Sequence, residues 1–373
     1  MGKKKKYACW LCSVPGVGDK TIAKLRQLCP DAEGIYRGGE KLWKQILNEK
    51  QMNEIRKFAE KADPDEVFGR LAAQDIHFVS LEEHEYPGRL RDISDPPYGL
   101  FYRGRLPDRE TLAVAVIGAR ECSAYGNYVA QGIGVALGEN QVQVISGMAR
   151  GIDGISQAAA LDAGGCSFGV LGCGVDICYP KSNQPLYEEL CEKGGIISAY
   201  PPGTEPRPQN FPPRNRIVSG LADALIVVEA RNKSGTLITV DMALEQGREV
   251  YVVPGRVTDR LSDGCNRLLK QGAGVFLSPE DFLREIGAGR IDSGKMLEVP
   301  RKKMMLEPRM QAVYQTLAPE PQSVEKIWEK ITEKTRISQQ ELMPLLMRLC
   351  MENLAVQVTP GNFALLQFSP NQV

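Results

Sequence analysis

The sequence has no net charge: 46 lysines and arginines balance 46 aspartates and glutamates across 373 residues. No global field announces a polyanionic partner, so a basic site has to be local. Histidine is almost missing. His77 and His84 are the only two, too few for a histidine-based metal centre. No apolar stretch is long enough to span a membrane, so no membrane partner is expected. The opening MGKKKKYACWLCSVPG has positive charge followed by apolar residues, but the apolar run is short and breaks at SVPG, which argues against a secretory signal. Position six is Lys6, which fails the myristoylation pattern. The lysine run is expected to be a solvated tail.

A disulfide framework is missing as well. Ten cysteines are scattered through a long chain, as in a reducing cytosol, and a cytoplasmic location is the expectation. Cys9 and Cys12, in CWLC, have redox or metal spacing, yet no second CxxC pair follows. The same spacing puts two buried residues on one helix face, and that reading is preferred. Hydrophobic residues make up 43% and charged residues 25%, ordinary for a globular protein. The length allows about two or three domains.

Residues 1–75 read as a small helical domain. Within it VPGVGDKTIAKLRQLC alternates apolar residues and glycine before an amphipathic helix with Ile22, Ala23 and Leu25. This resembles a helix-hairpin-helix turn, in which glycine amides at a helix start approach a DNA phosphate. A plain glycine turn between packed helices fits the same residues. Residues 76–109, rich in Pro and Gly, read as a connecting strap.

The pattern then changes. LAVAVIG, VQVIS, SFGVLG, GIISAY, ALIVVEA, EVYVVPG and GVFL are apolar runs of strand length, with helical stretches at 123–138, 152–163, 185–193 and 236–246. Continuous apolar strands alternating with helices predict a doubly wound, mostly parallel, Rossmann-like α/β sheet over 110–285, covered on both faces. Its ligand site is expected at the carboxyl ends of the strands. Residues 286–305 read as a linker, and 306–373 as three short amphipathic helices and a hairpin around Pro360–Gly361, a winged-helix-like domain.

The strand ends carry the chemistry. The turns read GAR, SGMARGID, GCG followed by YP, YPPGTEPRPQNFPPRNR, and EARNKSGT. Neither GxGxxG nor GxxxxGK[ST] occurs at these turns, so an ordinary dinucleotide site and a P-loop are unsupported, and no cofactor is expected. Glycine-rich strand-to-helix turns such as SGMARGID point amides and the positive helix end at one spot. Several such turns, with Arg120, Arg150, Arg207, Arg214, Arg216, Arg231 and Lys233 nearby, suit a polyanion better than one nucleotide. In FPPRNR, Pro212 and Pro213 stiffen the segment, Phe211 offers a face to a base, and Arg214 and Arg216 flank Asn215. Aromatic plus arginine is the chemistry of single strands, whose bases are free to stack. Packing Phe211 in a core and pairing the arginines with carboxylates is the competing use of the same residues. Arg150 faces the anion or pairs internally; the residues leave both open.

IGAR, SGMARGID, GCGVDICYP, FPPRNRIVSGL, VVEA, SGTLITVDMALEQGREVYVVPG and GCNRLLKQGA together resemble the DprA/Smf family, the DNA-processing protein A of bacteria, over roughly residues 80–280. The resemblance implies a non-catalytic, Rossmann-like single-stranded DNA binder that dimerises, protects incoming DNA and loads the RecA recombinase in natural transformation. It places Arg120, Ser146, Gly147, Phe211, Arg214, Asn215 and Arg216 in the DNA-binding pocket, with Arg207 a looser match, and the dimer surface near Leu268 and Leu269. Ser146, Gly147 and the helix-start amides would cradle one phosphate.

The strongest rival is a nucleotide phosphoribohydrolase-like enzyme on a related fold. Gly235–Thr236 matches its PGGxGTxxE turn, but PGG reads NKS and Thr239 stands where the glutamate belongs. Glycosidic cleavage needs carboxylates. Glu229 and Asp153 are the nearby candidates, although Asp153 is better placed to charge a helix start. In the third class, a structural dimer, the winged helix would read DNA, yet SQQELMPLLMRLCMEN carries only Arg348.

Overall fold

The computed structural model describes residues 2–288, 307–318, 320–332, 337–352 and 354–365. Five helices open the chain: α1 (Gly2–Ser13), α2 (Asp19–Leu28), α3 (Ala32–Trp43), α4 (Glu49–Lys61) and α5 (Pro64–Ala72). Asn48 and Asp63 start α4 and α5 with full capping boxes, closed by Gln51 and Glu66. The apolar stripes meet around Trp10, Leu25, Ile35, Trp43 and Ile55. The Trp10 indole N–H donates to the Ala62 carbonyl at 2.9 Å, so its polar end is satisfied inside the core.

The lysine run expected to be a tail belongs to α1 instead. Lys6 pairs with Asp65 at 2.5 Å and Lys5 with Glu83 at 2.9 Å. Cys9, on the same helix, is fully buried, and burial pushes its thiol up to about 12, as befits a core residue.

The strap does more than connect. It forms β1 (His77–Ser80), α6 (Gly88–Arg91) and β2 (Gly99–Gly104). The alternating domain follows: β3 (Ala113–Ile117), α7 (Ala124–Glu139), β4 (Gln143–Ser146), α8 (Ile152–Asp162), β5 (Ser167–Val170), α9 (Gln184–Lys193) and β6 (Gly195–Ser198). Then come α10 (Phe211–Gly220), β7 (Ala224–Val227), α11 (Gly235–Glu245), β8 (Glu249–Val252), α12 (Asp263–Lys270), β9 (Gly274–Val275) and α13 (Pro279–Glu285). All these strands form one sheet in the order β1-β2-β6-β5-β4-β3-β7-β8-β9. From β6 to β9 every pairing is parallel; β1 and β2 extend it antiparallel beyond β6.

Period-two alternation splits the core into two layers. Ala113, Ala115 and Ile117 of β3 pack into one layer, Val114 and Val116 into the other. On the second face α7 and α8 touch backbone to backbone: a Cβ on Gly134 would lie 2.3 Å from the Ser156 carbonyl oxygen. The strand order reverses at β3, with β4 on one side and β7 on the other. A topological switch of this kind leaves a crevice outside the carboxyl ends of the strands, and the GAR turn after β3 sits there.

The last described segments form α14 (Pro308–Thr316), β10 (Gln322–Ser323), α15 (Val324–Thr332), α16 (Gln339–Met351), β11 (Ala355–Thr359) and β12 (Asn362–Leu365). Their three-stranded sheet has the order β10-β12-β11, and a separate core gathers Val313, Ile327, Leu342, Leu346, Leu349 and Phe363. The linker expected over 286–305 lies, from residue 289, outside the described residues.

Candidate nucleic-acid interface

The SGMARGID turn is a genuine anion nest, but the chain fills it with its own carboxylate. Asp153, in the first turn of α8, accepts the Gly147 amide at 3.1 Å. Ser146, fully buried, donates its hydroxyl to the Val116 carbonyl at 2.6 Å. The Ile152 amide goes to the Ala119 carbonyl at 3.2 Å and the Gly154 amide to the Ala149 carbonyl at 3.1 Å. The phosphate cradle expected at Ser146 and Gly147 is therefore occupied, because a buried helix start must satisfy its donors internally. Gly151 makes the turn possible. It has φ 72°, and a Cβ there would lie 2.3 Å from the Ala119 carbonyl, so the turns after β3 and β4 pack directly on each other.

Arg214 faces Asp153 across Gly147. A Cβ on Gly147 would lie 2.8 Å from Asp153 Oδ2 and 2.9 Å from Arg214 Nη2, so only glycine fits between them. Arg214 is 5% exposed; its Nη1 donates to the Gly147 carbonyl at 2.7 Å and also to the Val170 carbonyl. Burial pushes the Asp153 carboxyl up and the Arg214 guanidinium down, and each charge partly offsets the other's shift. Asn215 accepts from Arg214 Nε at 3.3 Å. Arg216 is engaged as well: Nη2 meets Asp19 Oδ2 at 2.6 Å, and Nη1 meets Asp95. Asp19 opens α2, directly after the helix-hairpin-helix-like turn, and also accepts the Tyr98 amide at 3.0 Å. Thus Arg214 and Arg216, expected to face phosphate, are scaffold residues. Arg214 ties α10 to β4 and β5, and Arg216 ties α10 to the helical region.

Other residues stay on offer at the strand ends. Arg120, Arg150, Lys181, Arg231 and Lys233 are exposed, and none has an ion-pair partner among the described residues. Arg207 is exposed, in a loose 3.8 Å pair with Glu205. Phe211 is half-buried, with the guanidinium carbons of Arg120 and Arg214 each 5.7 Å from its ring centroid. Tyr179, in the YP that follows GCG, is the aromatic that sequence reasoning passed over. Its ring centroid is 5.6 Å from that of Phe211.

The candidate carboxylates of an enzyme are committed elsewhere. Glu229, 1% exposed, accepts the Ser123 amide at 2.9 Å and its hydroxyl at 2.5 Å, and burial pushes its carboxyl up. It thereby fixes the N-cap of α7 and the turn bearing Arg120. Thr239 is buried in α11. Of the expected dimer residues, Leu268 packs into the chain's own core at 9% exposure, whereas Leu269 is half-buried at the surface.

Removing Arg214 would leave two buried carbonyls and the Asp153 carboxylate without their cation. Arg214→Ala should lose about 3–5 kcal/mol of unfolding free energy. Arg216→Ala should lose less, about 1–3 kcal/mol, because its Asp95 partner is half in water. Urea unfolding checks both, and an unchanged midpoint for Arg214→Ala would contradict the scaffold assignment.

Residues 77–287, more than half of the chain, match the family described as DNA recombination-mediator protein A. The DNA processing protein DprA of Streptococcus pneumoniae is 41% identical over 210 residues, which cover 55% of this chain and 73% of that protein. The DNA processing protein DprA of Bacillus subtilis is 37% identical over 238 residues, 63% of this chain and 78% of that one. The X-ray structure of DNA processing protein A from S. pneumoniae is similar to this fold with a TM-score of 0.65 and 32% identity, over 75% of this chain and 97% of that chain. A structure of DNA processing protein A from Helicobacter pylori, whose subject is its single-stranded DNA binding mode, matches with a TM-score of 0.51 and 29% identity, over 56% and 95% of the two chains. The chain therefore belongs to the DNA recombination-mediator protein A family, the DprA/Smf proteins, and works in DNA processing during recombination.

Proposed function

We propose that this chain binds single-stranded DNA along the carboxyl ends of its parallel strands, protects incoming DNA, and loads the RecA recombinase in natural transformation as a cytoplasmic homodimer. The observation that carries the reading is the division among its charges. Arg214 and Arg216 are held by the protein, while Arg120, Arg150, Lys181, Arg231 and Lys233, beside the Phe211 ring or on neighbouring turns, have no ion-pair partner among the described residues. Unpaired cations beside aromatic rings fit a flexible polyanion whose bases are free to stack. The single-stranded DNA binding mode of the Helicobacter pylori relative supports the same substrate. Thr239 in the glutamate's place and the engagement of Glu229 by Ser123 favour binding over glycosidic chemistry. In the winged-helix-like C-terminal region α16 has one basic residue, Arg348, paired with Glu307 and Glu352, so a protein partner fits it at least as well as DNA.

The dimer surface we place around Leu269 at the β9 edge of the sheet. A cavity of about 410 Å³ opens there, lined by residues including Val240, Leu244, Tyr251, Leu268 and Gly274. Leu244 is 57% and Leu277 72% exposed beside an unpaired strand edge, the kind of surface a second copy covers.

Single strands should bind well and duplex poorly, with log K falling against log salt. Arg120→Ala and Arg150→Ala should each flatten that slope by about 0.7, read by fluorescence anisotropy; a slope untouched by either change, or equal affinity for duplex, would contradict the proposal. Leu269→Lys should sediment as a monomer with native stability. Persistence of the dimer would move the interface elsewhere.

A further inference from the structure

We infer that Tyr179 is the base-stacking subsite of this interface, with Phe211 as its backing ring; the inference rests on the single-strand reading above. Phe211 is the aromatic that the sequence brings forward, but its surroundings are crowded. Its Cδ1 would lie 2.9 Å from a Cβ on Gly172, so the ring packs against that backbone. Arg120 and Arg214 each lie 5.7 Å from its centroid, and Tyr179 lies 5.6 Å away with the ring planes inclined by 31°. Four neighbours leave little of Phe211 for a ligand. Tyr179, by contrast, is 42% exposed.

An exposed tyrosine is ordinary by itself. This one differs in its mounting and its place. The loop that carries it is tied down on both sides: before the ring the Ile177 N–H donates to the Gly174 carbonyl at 3.1 Å, and after it the Asn183 amide nitrogen Nδ2 donates to the Met148 carbonyl at 3.0 Å. The ring therefore gives up little conformational freedom when a ligand covers it. It stands after β5, two strands from the β3 turn that carries the exposed Arg120, and Lys181 is exposed two residues on. An exposed ring, a second ring behind it and, on the same and a neighbouring turn, cations without an ion-pair partner among the described residues are what a nucleotide base with its phosphate requires, whatever the base.

The test uses the full chain and a fluorescein-labelled oligothymidylate, with anisotropy read at several salt concentrations. Tyr179→Ala should weaken binding about 5- to 150-fold, the equivalent of a lost base stack of about 1–3 kcal/mol. The salt slope and the melting temperature should stay at wild-type values. Tyr179→Phe should bind as wild type, and Tyr179→Trp should show fluorescence quenching on addition of the oligonucleotide. Phe211→Ala should lower affinity and melting temperature together, since it removes the backing and a packed ring. Wild-type affinity in Tyr179→Ala, or a Tyr179→Phe protein as weak as Tyr179→Ala, would overturn the stacking subsite alone. A wild-type chain that binds no oligothymidylate would overturn the single-strand reading, and the subsite with it.

Discussion

Arg214 reaches from the first turns of α10 into the sheet and meets the Gly147 and Val170 carbonyls, with Asp153 on the far side of Gly147. Four elements, β4, β5, α8 and α10, are held at one point by this buried cation. A buried guanidinium is tolerable only when its donors and its charge are matched, and the anion nest of the SGMARGID turn supplies the match by fixing Asp153. The glycine at 147 is required because no side chain fits between the two charges. The positions of Phe211, Asn215 and Arg216 all follow from where Arg214 anchors the helix.

That arrangement separates the basic residues into two populations. The inner one, Arg214 and Arg216, is neutralised by Asp153, Asp19 and Asp95 and sets the distances between elements. The outer one, at the turns after β3, β4 and β7, has no carboxylate partner among the described residues and gives the neutral chain a local positive field. Internal neutralisation of the first population is what lets the second one dominate the strand ends. Glu229 contributes from below by fixing Ser123, the N-cap of α7, and with it the turn that carries Arg120.

The parallel sheet was legible because its strands are continuous apolar runs and its helices begin at recognisable turns; the helices expected at 152–163 and 236–246 are found at Ile152–Asp162 and Gly235–Glu245. The strap's strands were not, since β1 and β2 are short, are separated by a stretch with several prolines and a glycine, and join the sheet only because β2 pairs with the distant β6. The lysines of α1 read as a tail because their partners, Asp65 and Glu83, are far along the chain. The basic segments of the site were visible, but the use of each arginine was not. FPPRNR shows three potential contacts in a row, and only the fold reveals that Arg214 and Arg216 point inward and home in on carbonyls and aspartates. Tyr179 lies within the GCGVDICYP motif, but nothing in that run of residues marks its ring for stacking; that meaning comes from the ring 5.6 Å away, contributed by a segment after the next strand.

The central claim is that single-stranded DNA lies along the carboxyl ends of the parallel strands, over the outer cations. Hydrogen–deuterium exchange of the full chain with and without oligothymidylate tests it most directly. The account predicts slowed exchange in the turns around 118–122, 148–151, 178–182, 207–213 and 230–234, with no change in α14 to α16. Protection confined to those C-terminal helices, with the strand-end turns exchanging as in the free protein, would contradict it.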